Sequence, residues 1–282
     1  MQIIRNIKKM QAYSLGAKRT GHSLAFVPTM GALHEGHLSL VRRAKKAGDV
    51  VAVSIYVNPT QFGQGEDLKK YPRPLNRDKR LLEQLDVDCL FLPSDAVMYP
   101  DDYQTFVEVE KITRGLEGES RPGHFKGVAT IVAKLFNVVQ PDFAIFGQKD
   151  AQQVAVIKRM VADLNFPLKI VVAPTVREKS GLAMSSRNRY FNEEQLARAA
   201  CIYHGLKAGR ALVKSGESSS RKVVSTIEKV IRSTKGTEID YISVNDAETL
   251  GKKAKIDRAV LISVAVRLDG VRLIDNIRVR PA

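Results

Sequence analysis

Tryptophan is absent and cysteine nearly so. The 2 cysteines, Cys89 and Cys201, form no CxxC pair and have no partner spacing, and Cys89 lies in the apolar run VDCLFLP where a small hydrophobe fits. Both are read as reduced core thiols. No apolar run approaches the ~18 residues needed to cross a bilayer, which excludes a transmembrane reading. The segment MQIIRNIKKMQAYS carries basic residues but neither an uninterrupted apolar stretch nor a small-residue cleavage site. No signal peptide is read there, and the expected compartment is the cytoplasm. Internal repeats are missing, and the only low-complexity tract is the serine run in GESSS.

Charge of one sign dominates without clustering. The 45 Lys and Arg against 30 Asp and Glu leave a formal charge of +15, which favours an anionic partner such as a nucleotide, a nucleic acid or a membrane surface. The basic residues are scattered from Lys8 to Arg280 with acidic neighbours, and no basic arm is present. Much of the excess is therefore assigned to solvated surface. Aromatics at 6% and the lack of basic–aromatic interleaving argue against a stacking platform for RNA.

What is present is a regular alternation. The run HSLAFVP (22–28) reads as a buried strand, a helix carrying Leu38, Leu40, Val41 and Ala44 follows, and DVVAVSIYV reads as a second strand. A helical stretch over Asn76–Leu85, the strand VDCLFL, a helix over Gly127–Val139 with Ile131, Leu135 and Val138 on one face, the strand DFAIFG, a helix over Ala151–Leu164 and the strand LKIVVAP continue the series. Strands alternating with helices predict an α/β fold, a doubly wound parallel sheet of Rossmann type, with ligands at the carboxyl ends of the strands. Beyond about Thr175 the pattern changes to a polar loop, helical stretches over Glu193–Val213 and Arg221–Ser233, and the strand-like segments IDYISV, AVLISVAVRL and VRLIDNIRV. With 282 residues, close to the roughly 250–300 at which single cores stop growing, two domains are expected: residues 1–175, and a smaller C-terminal α+β domain over 176–282.

The most informative stretch is PTMGALHEGHLSL, Pro28–Leu40. It places Gly31, Gly36, His34 and His37 between a strand and a helix, where glycine admits close backbone approach and the helix N-terminus offers N–H groups to an anion. A P-loop would need Lys and Ser or Thr where His37 and Leu38 stand, and the dinucleotide fingerprint GxGxxG is absent. The histidine pair at i, i+3 could bind zinc, but no Cys, His or carboxylate set with suitable spacing accompanies it. A simple helix cap remains the plain alternative.

Other segments decide for a nucleotide. HEGH resembles the HxGH signature of the nucleotidyltransferase superfamily that includes class I aminoacyl-tRNA synthetases, and AMSSRN (183–188) sits where the partner loop of that signature belongs. PTMGALHEGH, VSIYVNPTQF, YPR, RPGHFKGVATIVAKLFNVVQPDFAIFGQKDAQQ, SGLAMSSRN and RLIDN, in that order, resemble the pantothenate synthetase family. Two positions depart from its usual pattern: Gln148 stands for an acidic residue and Ala151 for an aromatic one.

The resemblance implies ATP-dependent condensation of (R)-pantoate with β-alanine through a pantoyl-adenylate, in a homodimer with no nucleic-acid or membrane partner. It implies an ATP site made by Met30, Gly31, Ala32, Leu33, His34, Glu35, Gly36 and His37, by Gly147, Gln148, Lys149 and Asp150, by the backbone of Val176, and by Met184, Ser185, Ser186 and Arg187. His34, His37, Lys149 and Arg187 are its catalytic candidates. Gln61 and Gln153 would hold pantoate, Gln61 also β-alanine, and Met30 and Phe62 would give apolar walls. Mg²⁺ would ride on the ATP phosphates, with no protein metal motif.

The chemistry agrees. A carboxylate is already ionised at neutral pH, so attack on the α-phosphorus needs no base; it needs fixed donors and cations for the building negative charge. At a helix N-terminus the neutral form of His37 is favoured, and a bound triphosphate would favour its imidazolium and make it a proton donor. In the second step the amine must lose a proton, to histidine or to an adenylate oxygen. Plain readings stand beside these roles: Gln61 as a solvated loop residue, Lys149 and Asp150 as a surface lysine and a capping aspartate, and Arg121, His124 and Lys126 as an exposed basic loop or as phosphate contacts on closure. Another adenylate-forming or nucleotidyl-transferring member of the superfamily is the alternative enzyme, and an RNA-binding protein the alternative class.

Overall fold

The computed structural model describes residues 1–282, which divide into two compact units, Met1–Gln148 with Gln153–Pro174, and Lys149–Gln152 with Thr175–Ala282. The first unit opens with β1 (Gln2–Ile4) and α1 (Ile7–Arg19), continues through β2 (Leu24–Thr29), α2 (Glu35–Ala44), β3 (Val50–Ile55), α3 (Leu75–Glu83) and β4 (Cys89–Phe91), and then through the short turns α4 (Asp95–Met98) and α5 (Glu117–Ser120). α6 (His124–Val139), β5 (Phe143–Gly147), α7 (Ala151–Asp163) and β6 (Lys169–Ala173) complete the alternation, with the first residues of α7 grouped in the second unit.

The six strands form one parallel sheet in the order β1-β4-β3-β2-β5-β6. Alternation along each strand sends residues to opposite faces. Leu24 and Phe26 of β2 join Ala52, Phe91, Ala144 and Phe146 in one cluster, covered by Met10 of α1 and by Ile131, Leu135 and Val138 of α6. Ala25 and Val27 join Val51, Val53, Leu90 and Ile145 in the other, covered by Val41 and Ala44 of α2 and Leu82 of α3. Both faces are thus buried, which is why the strands read as continuous apolar runs. Cys89 belongs to the first cluster, and burial pushes its thiol up to about 12.

Strand order reverses between β2 and β5, since the chain runs from β2 toward β3 and β4 on one side and from β5 toward β6 on the other. The carboxyl ends of β2 and β5 therefore flank the topological switch point, the place where open α/β sheets leave a crevice. The segments that follow them are Met30–His34 and Gln148–Asp150.

The second unit holds α8 (Glu193–Ala199), α9 (Cys201–Lys214) and α10 (Ser220–Arg232), then an antiparallel sheet of β7 (Thr237–Asp246), β8 (Val260–Leu268) and β9 (Val271–Val279). Ile202, Leu206 and Val213 of α9 meet Val223, Ile227 and Ile231 of α10 over the inner face of β8. Gly209 permits this approach, because a Cβ there would lie 2.6 Å from Ile227 Cδ1. The stretch read as one helix over 193–213 is two, separated at Ala200, whose N–H reaches back to Ala197 instead of closing an α turn.

Leu135, 4% exposed in the core beneath the sheet, should cost about 2–5 kcal/mol when truncated to Ala, read as a lowered urea midpoint. An unchanged midpoint would contradict this packing.

Candidate active site

The turn after β2 is held from below by a carboxylate. Asp78 of α3, 1% exposed, accepts the N–H of Ala32 at 2.7 Å and of Leu33 at 2.9 Å, while Arg77 Nη1 donates to the Leu33 carbonyl at 3.2 Å. Ala32 adopts a left-handed φ of 52° and Gly31 one of 80°. A Cβ on Gly31 would meet Ile55 Cγ2 at 3.0 Å and Asp78 Oδ2 at 3.1 Å, so glycine is needed there on two counts. The Gly31 N–H is taken by Thr29 Oγ1 at 3.1 Å, and that hydroxyl donates to the Ser54 carbonyl at 2.8 Å.

His34 caps α2. Its backbone is extended, its Nδ1 accepts the Gly36 N–H at 3.1 Å, and its carbonyl receives the N–H groups of His37 and Leu38. Because Nδ1 is an acceptor, the neutral ring carries its proton on Nε2. The His34 and His37 rings lie 4.2 Å apart at 50°. The capping reading and the catalytic reading of His34 are therefore compatible: the cap fixes the tautomer.

This arrangement corrects one expectation. The N–H groups of Gly31, Ala32, Leu33, Gly36, His37 and Leu38 all have acceptors within the protein. The segment is not a cradle of open amides in the manner of a P-loop. The α2 N-terminus carries partial positive charge, and the tautomer places the His34 proton on Nε2.

Gln61 closes a short 3₁₀ turn, Pro59–Gln61, beyond β3. Asn58, 1% exposed, donates from Nδ2 to Gln61 Oε1 at 3.0 Å and to the Gly127 carbonyl at 3.1 Å, and its Oδ1 accepts from Thr60 Oγ1 and Tyr99 OH. Gln61 Nε2 sits 3.1 Å from Met30 Sδ, which brings the NPTQ turn against the first motif. A Cβ on Gly127 would lie 2.3 Å from the Thr60 carbonyl oxygen, so α6 and this turn pack backbone to backbone.

Arg121 and His124 do not form an exposed basic loop. Arg121 makes a two-point pair with Glu66, at 2.8 and 2.7 Å, and its Nη1 lies 3.0 Å from His124 Nε2. A guanidinium only donates, so Nε2 is the acceptor and Nδ1–H donates to the Gln61 carbonyl at 2.8 Å. Burial and the neighbouring Arg121 charge lower the His124 pKa from 6.5 to about 4. Lys126 is exposed and pairs with Glu108 at 3.6 Å.

The remaining candidates lie beyond β5. Gly147 ends that strand, and a Cβ there would meet only Leu40, at 4.0 Å. Gln148, Lys149 and Asp150 form a 3₁₀ turn in which Lys149 Nζ is 3.6 Å from Asp150 Oδ1. Gln153, half-buried, is on α7. In the second unit, Val176 accepts the Met184 N–H at 3.0 Å across a hairpin. Ser185 caps the 3₁₀ turn Ser186–Tyr190 by accepting the Arg187 N–H at 3.3 Å, and Asn188 Nδ2 donates to the Ala183 carbonyl at 3.2 Å.

A family profile described as pantoate-beta-alanine ligase matches residues 2–278. The chain belongs to the pantoate–β-alanine ligase family. It is 50% identical over 276 residues to a pantothenate synthetase of Syntrophotalea carbinolica, covering 98% of each chain. It is 51% identical to one of Syntrophomonas wolfei, covering 98% of this chain and 99% of that one. Among solved structures, the Thermus thermophilus pantothenate synthetase superposes with a TM-score of 0.94 at 43% identity over 100% of both chains. The Francisella tularensis pantoate-beta-alanine ligase, complexed with beta-gamma ATP and beta-alanine, gives 0.81 at 38% identity over 98% of this chain and 97% of that one. Membership makes the chain an ATP-dependent ligase of pantothenate biosynthesis, on the nucleotidyltransferase-type α/β fold that the strand–helix alternation predicts.

Asn58 supports Gln61 from within NPTQF, whereas Asp78 and Glu66 lie outside the motifs they support and meet partners distant in the chain. Gly31→Ala should lose about 1–3 kcal/mol of stability together with activity, a cost set by the left-handed φ and the Asp78 contact. Gly147→Ala should instead leave the unfolding midpoint near wild type, so a raised KM for ATP in that variant would report close nucleotide approach and not packing. The folded chain keeps His124 neutral to about pH 4, whereas the unfolded chain protonates it near 6.5. The unfolded state then binds more protons between those values, and stability falls as pH drops through that window, by roughly 3 kcal/mol in full. His124→Gln should flatten this part of the stability–pH curve; an unchanged slope would contradict the assignment.

Proposed function

We propose that this chain activates (R)-pantoate with ATP and transfers the acyl group to β-alanine, with residues 1–175 binding pantoate and nucleotide and residues 176–282 supplying a phosphate-contacting loop. The pantoate carboxylate oxygen attacks the α-phosphorus, the bond to the β-phosphate oxygen breaks, and pyrophosphate leaves. The β-alanine nitrogen then attacks the acyl carbon of the pantoyl-adenylate, loses a proton, and AMP departs. The observation that carries this reading is the cap at the switch point: a histidine whose Nδ1 is already engaged offers a fixed Nε2–H donor at the positive end of a helix.

In this reading His34, His37, Lys149 and Arg187 stabilise the charge that grows on the transferring and leaving phosphates. Met30 to His37, Gly147 to Asp150, the Val176 backbone and Met184 to Arg187 bind the nucleotide. Gln61 and Gln153 hold the oxygens of pantoate, and Gln61 also serves β-alanine. Support for Gln61 comes from its neighbours, because Asn58 orients the amide by donating to Oε1, so that Nε2, one of whose hydrogens meets Met30 Sδ, is the donor side toward a ligand oxygen. Mg²⁺ enters in this reading as part of the nucleotide substrate, carried on the ATP phosphates. We further propose a cytoplasmic homodimer; no helix is long and apolar enough to cross a membrane.

Exchange of labelled pyrophosphate into ATP should depend on pantoate. If another acid supports exchange and pantoate does not, the chain acts on a different substrate. His34→Ala and Lys149→Ala should each cut exchange roughly a hundredfold to a thousandfold with the fold intact; full turnover in both would remove these roles.

A further inference from the structure

The second unit fixes its two cation-bearing segments to one point on β9. Asn276 Nδ2 donates to the Lys149 carbonyl at 2.8 Å, across 127 positions of sequence. The preceding residue, Asp275, takes the Arg177 guanidinium in a two-point pair, Nη1 to Oδ2 at 2.5 Å and Nη2 to Oδ1 at 3.0 Å. Arg177 begins the hairpin that leads into Met184–Arg187, and its Nη1 also donates to the Gly181 carbonyl at 3.1 Å at the hairpin's turn. Its guanidinium lies over the Tyr203 ring, 4.0 Å from the centroid, and Gly181 leaves room for that ring, since a Cβ would lie 2.2 Å from Tyr203 Cδ1. Asp275 Oδ1 further accepts the Asn276 N–H at 2.7 Å, which orients the residue that holds Lys149.

Asp275 and Asn276 are 4% and 5% exposed, so these contacts are made away from water, where an imperfect geometry is costly. A strand that buries an acid and an amide at adjacent positions, and uses one for each segment, is arranged for position more than for stability. A pair of apolar residues would pack there at lower risk.

We infer that Asn276 is a positioning residue for the adenylating step, acting through Lys149, and that the Arg177–Asp275 pair holds the Met184–Arg187 segment in the same frame. Asn276 does not touch the reacting atoms. It sets where the Lys149 backbone, and hence the ammonium, stands when the carboxylate attacks. This rests on the reading that Lys149 contacts the triphosphate.

The test is a double-mutant cycle on pantoate-dependent pyrophosphate exchange, with Asn276→Ala, Lys149→Ala and the double variant, each checked by thermal unfolding. Asn276→Ala alone should lower kcat at least about tenfold with little change in the KM for pantoate, and should add nothing to the loss in Lys149→Ala. Losses that multiply, or an unchanged kcat in Asn276→Ala, would overturn the inference. If Asn276→Ala does not fold, Asn276→Ser enters the same cycle with the same two outcomes. Full exchange in Lys149→Ala would instead remove the reading beneath the inference, a result distinct from additivity.

Discussion

The site depends on one buried carboxylate. Asp78 occupies the place under the β2–α2 turn where, in an open amide cradle, an anionic ligand would sit, and it takes the N–H groups of Ala32 and Leu33. With Gly31 and Ala32 in the left-handed region, the turn has little freedom to rearrange around a ligand. In the proposed function the nucleotide would therefore meet a surface already set, presented by a helix end and by side chains. For a step in which one anion attacks another, donors fixed in advance stabilise the transition state without reorganisation at the moment of reaction.

The same device recurs at each level of the molecule. Asn58 fixes the Gln61 amide, the Glu66–Arg121–His124 chain fixes its carbonyl, and Asn276 fixes the carbonyl of Lys149. In every case the residue expected to meet substrate is held by a polar neighbour. The +15 excess is thus carried by other cations than Arg121 and Arg177, whose charges are balanced by Glu66 and Asp275.

Sequence periodicity was sufficient for most of the fold. Strands buried on both faces announce themselves as apolar runs, and the helix bearing Ile131, Leu135 and Val138 shows its core face directly. β1 and α1 carry no such pattern, because a three-residue edge strand leaves no periodic signal and α1 buries only Met10 and Ser14. The candidate site residues stand in motifs, and so do the supports Asn58, Arg121, His124 and Asn276, but Glu66 and Asp78 do not. Asp78 sits in an ordinary charged helix, and nothing in RDKRLLE marks it as bonded to a turn 45 and 46 positions earlier. The amides of Gly31 and Gly36, expected to be open, are taken locally by Thr29 Oγ1 and His34 Nδ1, and those of Ala32 and Leu33 by the distant Asp78.

The most direct measurement is pantoate-dependent pyrophosphate exchange in Asp78→Asn, a substitution that keeps the volume and replaces one acceptor by a donor facing a backbone N–H. A fixed turn as the basis of catalysis predicts a fall of at least about a hundredfold in kcat in a protein that still folds. Exchange at the wild-type rate in folded Asp78→Asn would contradict it.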